Sequence, residues 1–262
     1  MTDLDDRYAL AVQLAVDGGY LAADMQASLG TIQAKSAIDF CTEADRAVEK
    51  LIRDQVATRF ADAFIGEEAG SDAGGDEADG KGVWVVDPID GTAGYIHGTP
   101  RWCVSIAYVR GAAIEFGVIY APSDERMFTA RRGGGAFLNG QPIRVSGLRH
   151  GVAPVVELGW SERRPLTAYC DLLQRLSAER FEFRRHGSGA LGLAEVACGL
   201  ADGYAELHIN AWDALAGILL VQEAGGICND FLADDGLAHG NRLIAATPEI
   251  YRQIGDAVAA VL

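Results

Sequence analysis

The chain has 262 residues and is strongly acidic, with 22 lysine and arginine residues against 37 aspartate and glutamate residues and a formal net charge of −15. This excess of negative charge repels phosphodiester backbones and anionic lipid surfaces, which argues against a protein that binds nucleic acid or membranes. A hydrophobic content of 49% is that of a folded globular protein rather than of a disordered acidic tail. No apolar run approaches the roughly 20 residues of a membrane span.

The first residues are acidic and lack the basic-then-apolar order of a secretory signal peptide, which favours a cytoplasmic protein. The five cysteines agree, because they are widely spaced and form no C-x-x-C pair. We therefore predict small buried thiols rather than a zinc or disulfide framework. The cysteines are Cys41, Cys103, Cys170, Cys198 and Cys228.

Helical spacing of apolar residues predicts two helices at the start of the chain. The first covers Leu4 to Leu21, and the second begins after Thr42, a candidate N-cap, with Val48 and Ile52 on its buried face. The segment Asp72–Asp79, in which glycines separate the acids, predicts a solvated loop.

Short apolar or alternating runs dominate the next part of the chain and predict strands. The last of these runs leads into Asn139-Gly140, a dipeptide typical of a type I′ hairpin turn. The predicted strands are Val83–Val86, Val104–Val109, Ala113–Tyr120, Met127–Arg131 and Ala136–Leu138.

After Pro154 the pattern changes to alternating strands and helices. This change divides the chain into residues 1–150 and 151–262, which we predict to be two lobes of one compact unit. The whole pattern indicates an α/β protein built of stacked helix and sheet layers. The predicted elements are strand Val155–Leu158, helix Leu166–Ser177, strand Phe181–Arg184, helix Ala190–Ala197, strand Tyr204–Ile209, helix Asp213–Glu223, strand Leu243–Ala246 and helix Pro248–Leu262.

The most informative motif is Asp87-Pro88-Ile89-Asp90-Gly91-Thr92, which follows an apolar strand. A bend at the proline can turn both carboxylates and the Ile89 carbonyl toward one point. Oxygen ligands alone suit a hard cation such as Mg²⁺ rather than zinc. The backbone N–H groups of Gly91 and Thr92 then form a candidate seat for a phosphate oxygen. Metal ions between the carboxylates and the phosphate would remove their mutual repulsion.

This motif has other interpretations. Because Asp, Pro and Gly are turn formers, it could be a simple turn. Phosphatases of the haloacid-dehalogenase type also carry an Asp after an apolar strand, but their acids stand two residues apart. An EF-hand needs more oxygen ligands at fixed steps and a closing glutamate.

Two further acidic groups lie next to predicted elements. Glu67 and Glu68 follow Phe64-Ile65-Gly66, and Asp213 begins a predicted helix, where it could serve as an N-cap or as a metal ligand. Together with the Asp87 motif, these groups resemble the inositol monophosphatase family, and the likeness covers most of the chain from Thr42 onward. It implies an α-β-α-β-α sandwich and a Mg²⁺-dependent, lithium-sensitive phosphomonoesterase that is a homodimer.

By matching position, the resemblance implies specific roles, with two to three Mg²⁺ ions in each site. Asp45 and Thr92 would orient and deprotonate the attacking water, and Glu67 would help to hold a more weakly bound third ion. The implied metal ligands are Glu67, Asp87, the Ile89 carbonyl, Asp90 and Asp213. The implied substrate contacts are Gly91, Thr92, Gly187, Ser188, Glu206 and Asp213.

The choice of substrate is less defined. Gly187-Ser188-Gly189 stands where Gly-Thr-Ala is usual in the inositol enzymes, and residues 96–100 are similar to a segment of bacterial histidinol-phosphate phosphatases. We expect inositol 1-phosphate first and histidinol phosphate second, ahead of nucleotide 3′-phosphates and fructose 1,6-bisphosphate. A non-catalytic module that binds metal and phosphate is the alternative from another class. The sequence assigns no role to Glu68, Arg184, Arg185 or His208.

Overall fold

The computed structural model describes residues 3–38, 40–68, 70–71 and 82–262. The predicted loop Asp72–Asp79 lies outside the described residues. Within them, the chain forms eight α-helices and two short 3₁₀ turns. The helices are α1 (Asp3–Gln26), α2 (Glu43–Arg59), α3 (Thr92–Ile96), α4 (Leu166–Ala178), α5 (Gly189–Ala197), α6 (Ala211–Glu223), α7 (Gly236–His239) and α8 (Pro248–Ala259).

Fifteen strands of the described residues form three sheets. A hairpin of β1 and β2 stands apart from an eight-stranded sheet of order β10-β9-β8-β7-β6-β5-β3-β4 and a five-stranded sheet of order β12-β11-β13-β15-β14. The strands are β1 (Ile32–Ala34), β2 (Phe40–Thr42), β3 (Ala63–Gly66), β4 (Gly70–Ser71), β5 (Val83–Asp90), β6 (Cys103–Arg110), β7 (Ala113–Ala121), β8 (Arg126–Arg131), β9 (Gly135–Leu138), β10 (Gln141–Pro142), β11 (Val155–Leu158), β12 (Glu182–Arg184), β13 (Gly203–Ile209), β14 (Ile227–Cys228) and β15 (Asn241–Ala246).

The elements stack in five layers, as the family resemblance implies. Helices α1 and α2 cover one face of the eight-stranded sheet, where Trp84 of β5 is fully buried. Its neighbour Val85 points to the opposite face, because side chains alternate along a strand, and packs in the core formed with α5, α6 and the five-stranded sheet. Helices α4 and α8 cover the outer face of that second sheet. The architecture is therefore an α-β-α-β-α sandwich.

Most predicted elements are confirmed, and the differences lie at their ends. The hairpin at Asn139-Gly140 forms as predicted, with φ angles of 49° and 75°. Strand β5 runs on to Asp90 instead of ending at Val86, and α6 begins two residues before Asp213. The strands of the large sheet precede residue 150 and those of the second sheet follow it, whereas the division into two lobes stays a prediction.

The cysteines are free, but they are not uniformly buried as predicted. Cys41 and Cys103 are buried, Cys198 and Cys228 are half-buried, and Cys170 is exposed on α4. Within the described part of the chain, no helix combines the length and apolar character needed to cross a bilayer.

Helix α6 lies at the centre of the sandwich because two glycines permit close contacts. A Cβ atom at Gly217 would overlap the side chain of Leu193 on α5, and one at Gly117 of β7 would overlap the backbone of α6 at Ala216. These contacts hold α6 between the two sheets, with its first turn at the edge where β5 ends.

Replacing Gly217 by alanine tests this close packing. We expect Gly217→Ala to lower the free energy of unfolding by about 1–3 kcal/mol, the usual cost of overpacking a core. Gly255 of α8 is the matched control, since a Cβ atom there would meet nothing within 4 Å. Gly255→Ala should stabilise the protein by about 0.5–1 kcal/mol through helix propensity. Urea unfolding measures both, and equal effects in the two variants would contradict the packing.

Candidate active site

Two buried carboxylates and one half-buried carboxylate meet between the sheets. Oxygen atoms of Asp87, Asp90 and Asp213 all lie within 4.8 Å of one another. The first two extend from β5, where Asp87 pairs with Ser105 and Asp90 with Cys103, so that a bulge opens between them. The structure thus brings together three of the predicted metal ligands.

A hydrogen bond on the neighbouring strand positions the third carboxylate. Ser105 of β6 lies opposite Asp87 and donates its hydroxyl to the Trp212 carbonyl at 3.1 Å. This contact attaches the first turn of α6 to the large sheet, which places Asp213 beside Asp87. The N-cap of α6 is Asn210. Asp213 occupies the third position of the helix, and its carboxylate accepts the Asn210 N–H at 3.3 Å. The N-cap interpretation of Asp213 was therefore wrong by three residues.

Asp90 is held by the start of α5. Its carboxylate accepts hydrogen bonds from the Ser188 hydroxyl at 2.5 Å and from the backbone N–H groups of Gly189 and Ala190 at 3.2 and 2.7 Å. The Ser188 oxygen also caps α5 by accepting the Leu191 N–H at 3.2 Å. These bonds give Ser188 a positioning role, and its predicted contact with substrate stays a prediction.

Glu67 follows β3 and faces a lysine that sequence reasoning missed. Lys35 Nζ lies 2.9 Å from Glu67 Oε1 and 2.5 Å from Glu68 Oε1. Lys35 comes from the segment after β1, which no motif marks. Glu68 therefore forms an ion pair beside the site, and Glu67 lies outside the three-carboxylate group although its charge acts on Asp87.

The predicted water-activating pair is in contact. Thr92 Oγ1 lies 3.2 Å from Asp45 Oδ1 and 2.9 Å from the Ile89 carbonyl oxygen, so its single proton can be donated to either. Asp45 is fixed by the capping box of α2, in which its other oxygen accepts the Thr42 N–H at 2.7 Å and the Thr42 hydroxyl at 2.5 Å. Thr42 is the N-cap, as predicted.

Gly91 forms the turn between β5 and α3. Its φ angle of 93° suits glycine alone, and a Cβ atom would overlap the Arg101 carbonyl. The N–H groups of Gly91 and Thr92 stand at the start of α3, where the helix supplies no acceptor for them. They remain the candidate phosphate donors that the sequence indicated.

The remaining predicted contacts line the same cavity, whose volume is about 910 Å³. Gly187, Ser188 and Glu206 lie along it, together with Arg185 and His208. Glu206 is 7% exposed and accepts a hydrogen bond of 2.5 Å from the Tyr204 hydroxyl. The sequence assigned no role to Arg184 or Arg185. Arg185 lines the cavity, whereas Arg184 lies on the exposed edge strand β12.

Burial raises the pKa values of the acidic residues at the site. Burial and the charge of Asp90 raise the pKa of Asp213 to about 7, and burial and the charge of Asp213 raise the pKa of Glu67 to about 8. Burial is also the main cause of the raised pKa values of Asp87 and Asp90. Clustered carboxylates with high proton affinity and only oxygen donors fit a hard divalent cation, which neutralises several of them at once.

Comparison with known proteins decides the family. A model of the inositol monophosphatase family matches residues 3–261. The chain belongs to this family. The inositol-1-monophosphatase of Mesorhizobium japonicum is 37% identical over 223 residues, which cover 84% of this chain and 83% of that protein. The Nus factor SuhB of Xylella fastidiosa is 40% identical over 204 residues, covering 77% and 72%.

Solved structures agree with the fold. The IMPase of Thermotoga maritima superposes with a TM-score of 0.82 and 31% identity, covering 98% of each chain. The inositol monophosphatase family is Mg²⁺-dependent, and the Asp87–Asp90–Asp213 group provides the acidic cluster that such a dependence requires.

The raised pKa values predict how pH and Mg²⁺ affect stability. A carboxyl whose folded pKa exceeds its unfolded value stabilises the protein at low pH, and this contribution is lost as pH rises through the folded pKa, here about 7 to 8. The metal-free protein should therefore lose melting temperature between about pH 5 and pH 8. Mg²⁺ should restore more near pH 8, because metal ligands must be deprotonated.

Thermal unfolding with and without Mg²⁺, at about pH 5.5 and pH 8, measures this dependence. Asp54→Asn is the control, since Asp54 is an exposed carboxylate that pairs with Lys50 on α2. The control should respond to Mg²⁺ as the unmodified protein does. A Mg²⁺ effect that is equal at both pH values would contradict binding at the Asp87–Asp90–Asp213 group.

Proposed function

We propose that this protein is a Mg²⁺-dependent phosphomonoester hydrolase that acts on inositol 1-phosphate. The observation that carries the proposal is that Thr92, which contacts Asp45, lines the same cavity as the Asp87–Asp90–Asp213 group. A protein that only binds metal and phosphate needs the metal-binding carboxylates. It has no use for a threonine hydroxyl that contacts Asp45, a buried carboxylate outside that group.

We infer two to three Mg²⁺ ions in the site, which Asp87, Asp90, Asp213, Glu67 and the Ile89 carbonyl would hold. When bound, such ions supply positive charge that stabilises the phosphoryl group during in-line displacement. The Gly91 and Thr92 N–H groups would bind a phosphate oxygen and orient the ester.

Proton transfer is assigned to Asp45 and Thr92. The Thr92 oxygen accepts a proton from the attacking water while its own proton passes to Asp45 Oδ1, which lies 3.2 Å away. Burial raises the pKa of Asp45, which makes its carboxylate a better base than an exposed aspartate. Because Asp45 Oδ2 is engaged by Thr42, only Oδ1 is directed at Thr92.

The alcohol part of the substrate is assigned to the second lobe. Glu206 and the Gly187–Ser188 turn line the same cavity as Thr92. A buried carboxylate such as Glu206 suits a sugar or cyclitol hydroxyl, since a donor must satisfy its free oxygen. The name of the M. japonicum relative supports inositol phosphate, and histidinol phosphate is the alternative within this class.

A second candidate function is that of a non-catalytic factor, which would not hydrolyse a phosphate ester. Several relatives, including that of X. fastidiosa, are named Nus factor SuhB rather than phosphatase. The negative charge of this chain disfavours direct contact with nucleic acid, so such a role would use a protein partner.

We further infer from the family a cytoplasmic homodimer that lithium inhibits.

Thr92→Ala tests the proton-transfer assignment. We expect kcat for phosphate release to fall by about 10²–10⁴-fold, the usual contribution of general base catalysis, with a smaller effect on KM. Thr92→Ser keeps the hydroxyl and should retain much of the activity. Thr58→Ala, which removes an exposed hydroxyl on α2, is the control for a threonine-to-alanine change. An unchanged kcat in Thr92→Ala would remove Thr92 from the mechanism.

A substrate panel tests the ranking. Phosphate release with Mg²⁺ should give a higher kcat/KM for inositol 1-phosphate than for histidinol phosphate, adenosine 3′-phosphate or fructose 1,6-bisphosphate. Preferred cleavage of histidinol phosphate would reverse the first two choices. No release from any of these esters by a protein that melts later in Mg²⁺ would favour the factor role.

A further inference from the structure

A second group of metal-ligating side chains lies outside the predicted Mg²⁺ ligands. Ligand atoms of Glu157, His186 and Glu195 all lie within 4.8 Å of one another. Glu157 belongs to β11, His186 to the loop between β12 and α5, and Glu195 to α5. We call these three residues the Glu–His–Glu group. The proposed hydrolysis uses none of them.

The group contains two buried carboxylates and more negative charge than its fixed cation can offset. Glu157 is 2% exposed and Glu195 is 6% exposed. Arg101 Nη1 lies 2.5 Å from Glu195 Oε1 and neutralises that carboxylate. In the described part of the chain no lysine or arginine nitrogen lies within 4.0 Å of Glu157, whose ionic partner is His186. Because an unpaired buried carboxylate is costly, Glu157 needs a further cation, which is either a proton on His186 or a metal ion.

Each carboxylate of the group has one oxygen held by a hydrogen-bond donor and a second oxygen left for a ligand. Glu157 Oε1 accepts the His186 backbone N–H at 2.7 Å, while its Oε2 faces His186 Nδ1 at 2.9 Å. Arg101 holds Oε1 of Glu195, and no donor among the described residues contacts its Oε2. Carboxylates that bind metals are usually oriented by such hydrogen bonds. The candidate ligand atoms are therefore Glu157 Oε2, His186 Nδ1 and Glu195 Oε2.

The imidazole distinguishes this group from the oxygen-only group assigned to Mg²⁺. Imidazole nitrogen suits Zn²⁺ and related transition metals, whereas Mg²⁺ prefers oxygen ligands in a near-ideal octahedron. Three nitrogen and carboxylate ligands, with a fourth position for water, are typical of open zinc sites. Zinc bonds of about 2.0–2.2 Å place neighbouring ligand atoms roughly 3.3 Å apart. The contact of 2.9 Å between Glu157 and His186 therefore needs only a small opening to admit the ion.

The group is open to the cavity. Glu157 and His186 both line it, and the His186 side chain is 37% exposed. An ion can thus reach the two buried carboxylates past the imidazole. Because Nδ1 must be deprotonated to bind a metal, the proton between Nδ1 and Glu157 would be released to solvent on binding.

We propose that the Glu–His–Glu group is a second metal site, which prefers Zn²⁺ to Mg²⁺. The ion would join β11, the loop after β12 and α5. The same loop continues to Ser188, whose hydroxyl is bonded to Asp90, so zinc would also restrain the segment that positions Asp90. The site is independent of the proposed function, since it needs neither phosphate nor hydrolysis.

Titration with Zn²⁺ in excess Mg²⁺ tests the site. Calorimetry on the full chain, with Mg²⁺ occupying the oxygen-only group, should show one zinc ion bound per chain. His186→Gln and Glu195→Gln should each weaken this binding by at least about 10–100-fold, the cost of losing even an outer partner of a ligand. His150→Gln and Glu179→Gln are matched controls, because both residues are exposed and lie outside the group.

The controls should bind zinc as the unmodified protein does. Cys170→Ser should also do so, and it tests the exposed thiol of α4 as another zinc ligand. The proposal is wrong if no zinc binds in excess Mg²⁺, if His186→Gln leaves the affinity unchanged, or if a control variant weakens binding as much as His186→Gln does.

Histidine ring signals locate the ion in the unmodified protein. In ¹⁵N NMR spectra that resolve the five histidines, zinc should shift the Nδ1 signal of His186 and leave the signals of exposed His150 in place. The spectrum of His186→Gln assigns the signal, and the exposure of this side chain makes loss of the fold unexpected. Zinc binding without a change at His186 Nδ1 would overturn the proposal, whatever the variants show.

Discussion

The carboxylate of Asp90 joins the two halves of the sandwich at the point where the site forms. Asp90 ends β5 of the large sheet and accepts hydrogen bonds from Ser188 and from the first N–H groups of α5. A carboxylate at a helix N-terminus satisfies donors that the helix leaves free and interacts favourably with its dipole. The position of α5 against β5 is therefore set by the side chain that also faces Asp87 and Asp213.

This arrangement concentrates like charges in the protein interior. Asp87, Asp90 and Asp213 are desolvated and repel one another, so each ionised form is costly and the pKa values rise. A proton neutralises one carboxyl at a time, whereas a divalent cation also offsets the repulsion between them. The same packing that brings the strands and helices together thus creates the affinity for a hard cation, and no separate loop is needed to bind it.

Most of the layered fold could be predicted from sequence because apolar periodicity reports which face of each element is buried. The predictions failed where tertiary contacts decide the outcome. The bulge that keeps Asp90 within β5 depends on pairing with Cys103 of β6, and Lys35 reaches Glu67 only through folding of the β1–β2 segment. Asp45 and Thr92 were paired by family resemblance, since 47 residues separate them and no local pattern joins them.

The acidic composition and an anionic substrate are compatible because cations can neutralise the negative charge at the site. Without cations, Asp87, Asp90 and Asp213 repel a phosphate group that approaches the Gly91 and Thr92 N–H groups. Divalent cations held by these carboxylates would offset that repulsion, so the binding of Mg²⁺ and the binding of phosphate would favour each other. The acidic surplus that argues against nucleic-acid binding thus includes the carboxylates through which a small phosphate ester would bind.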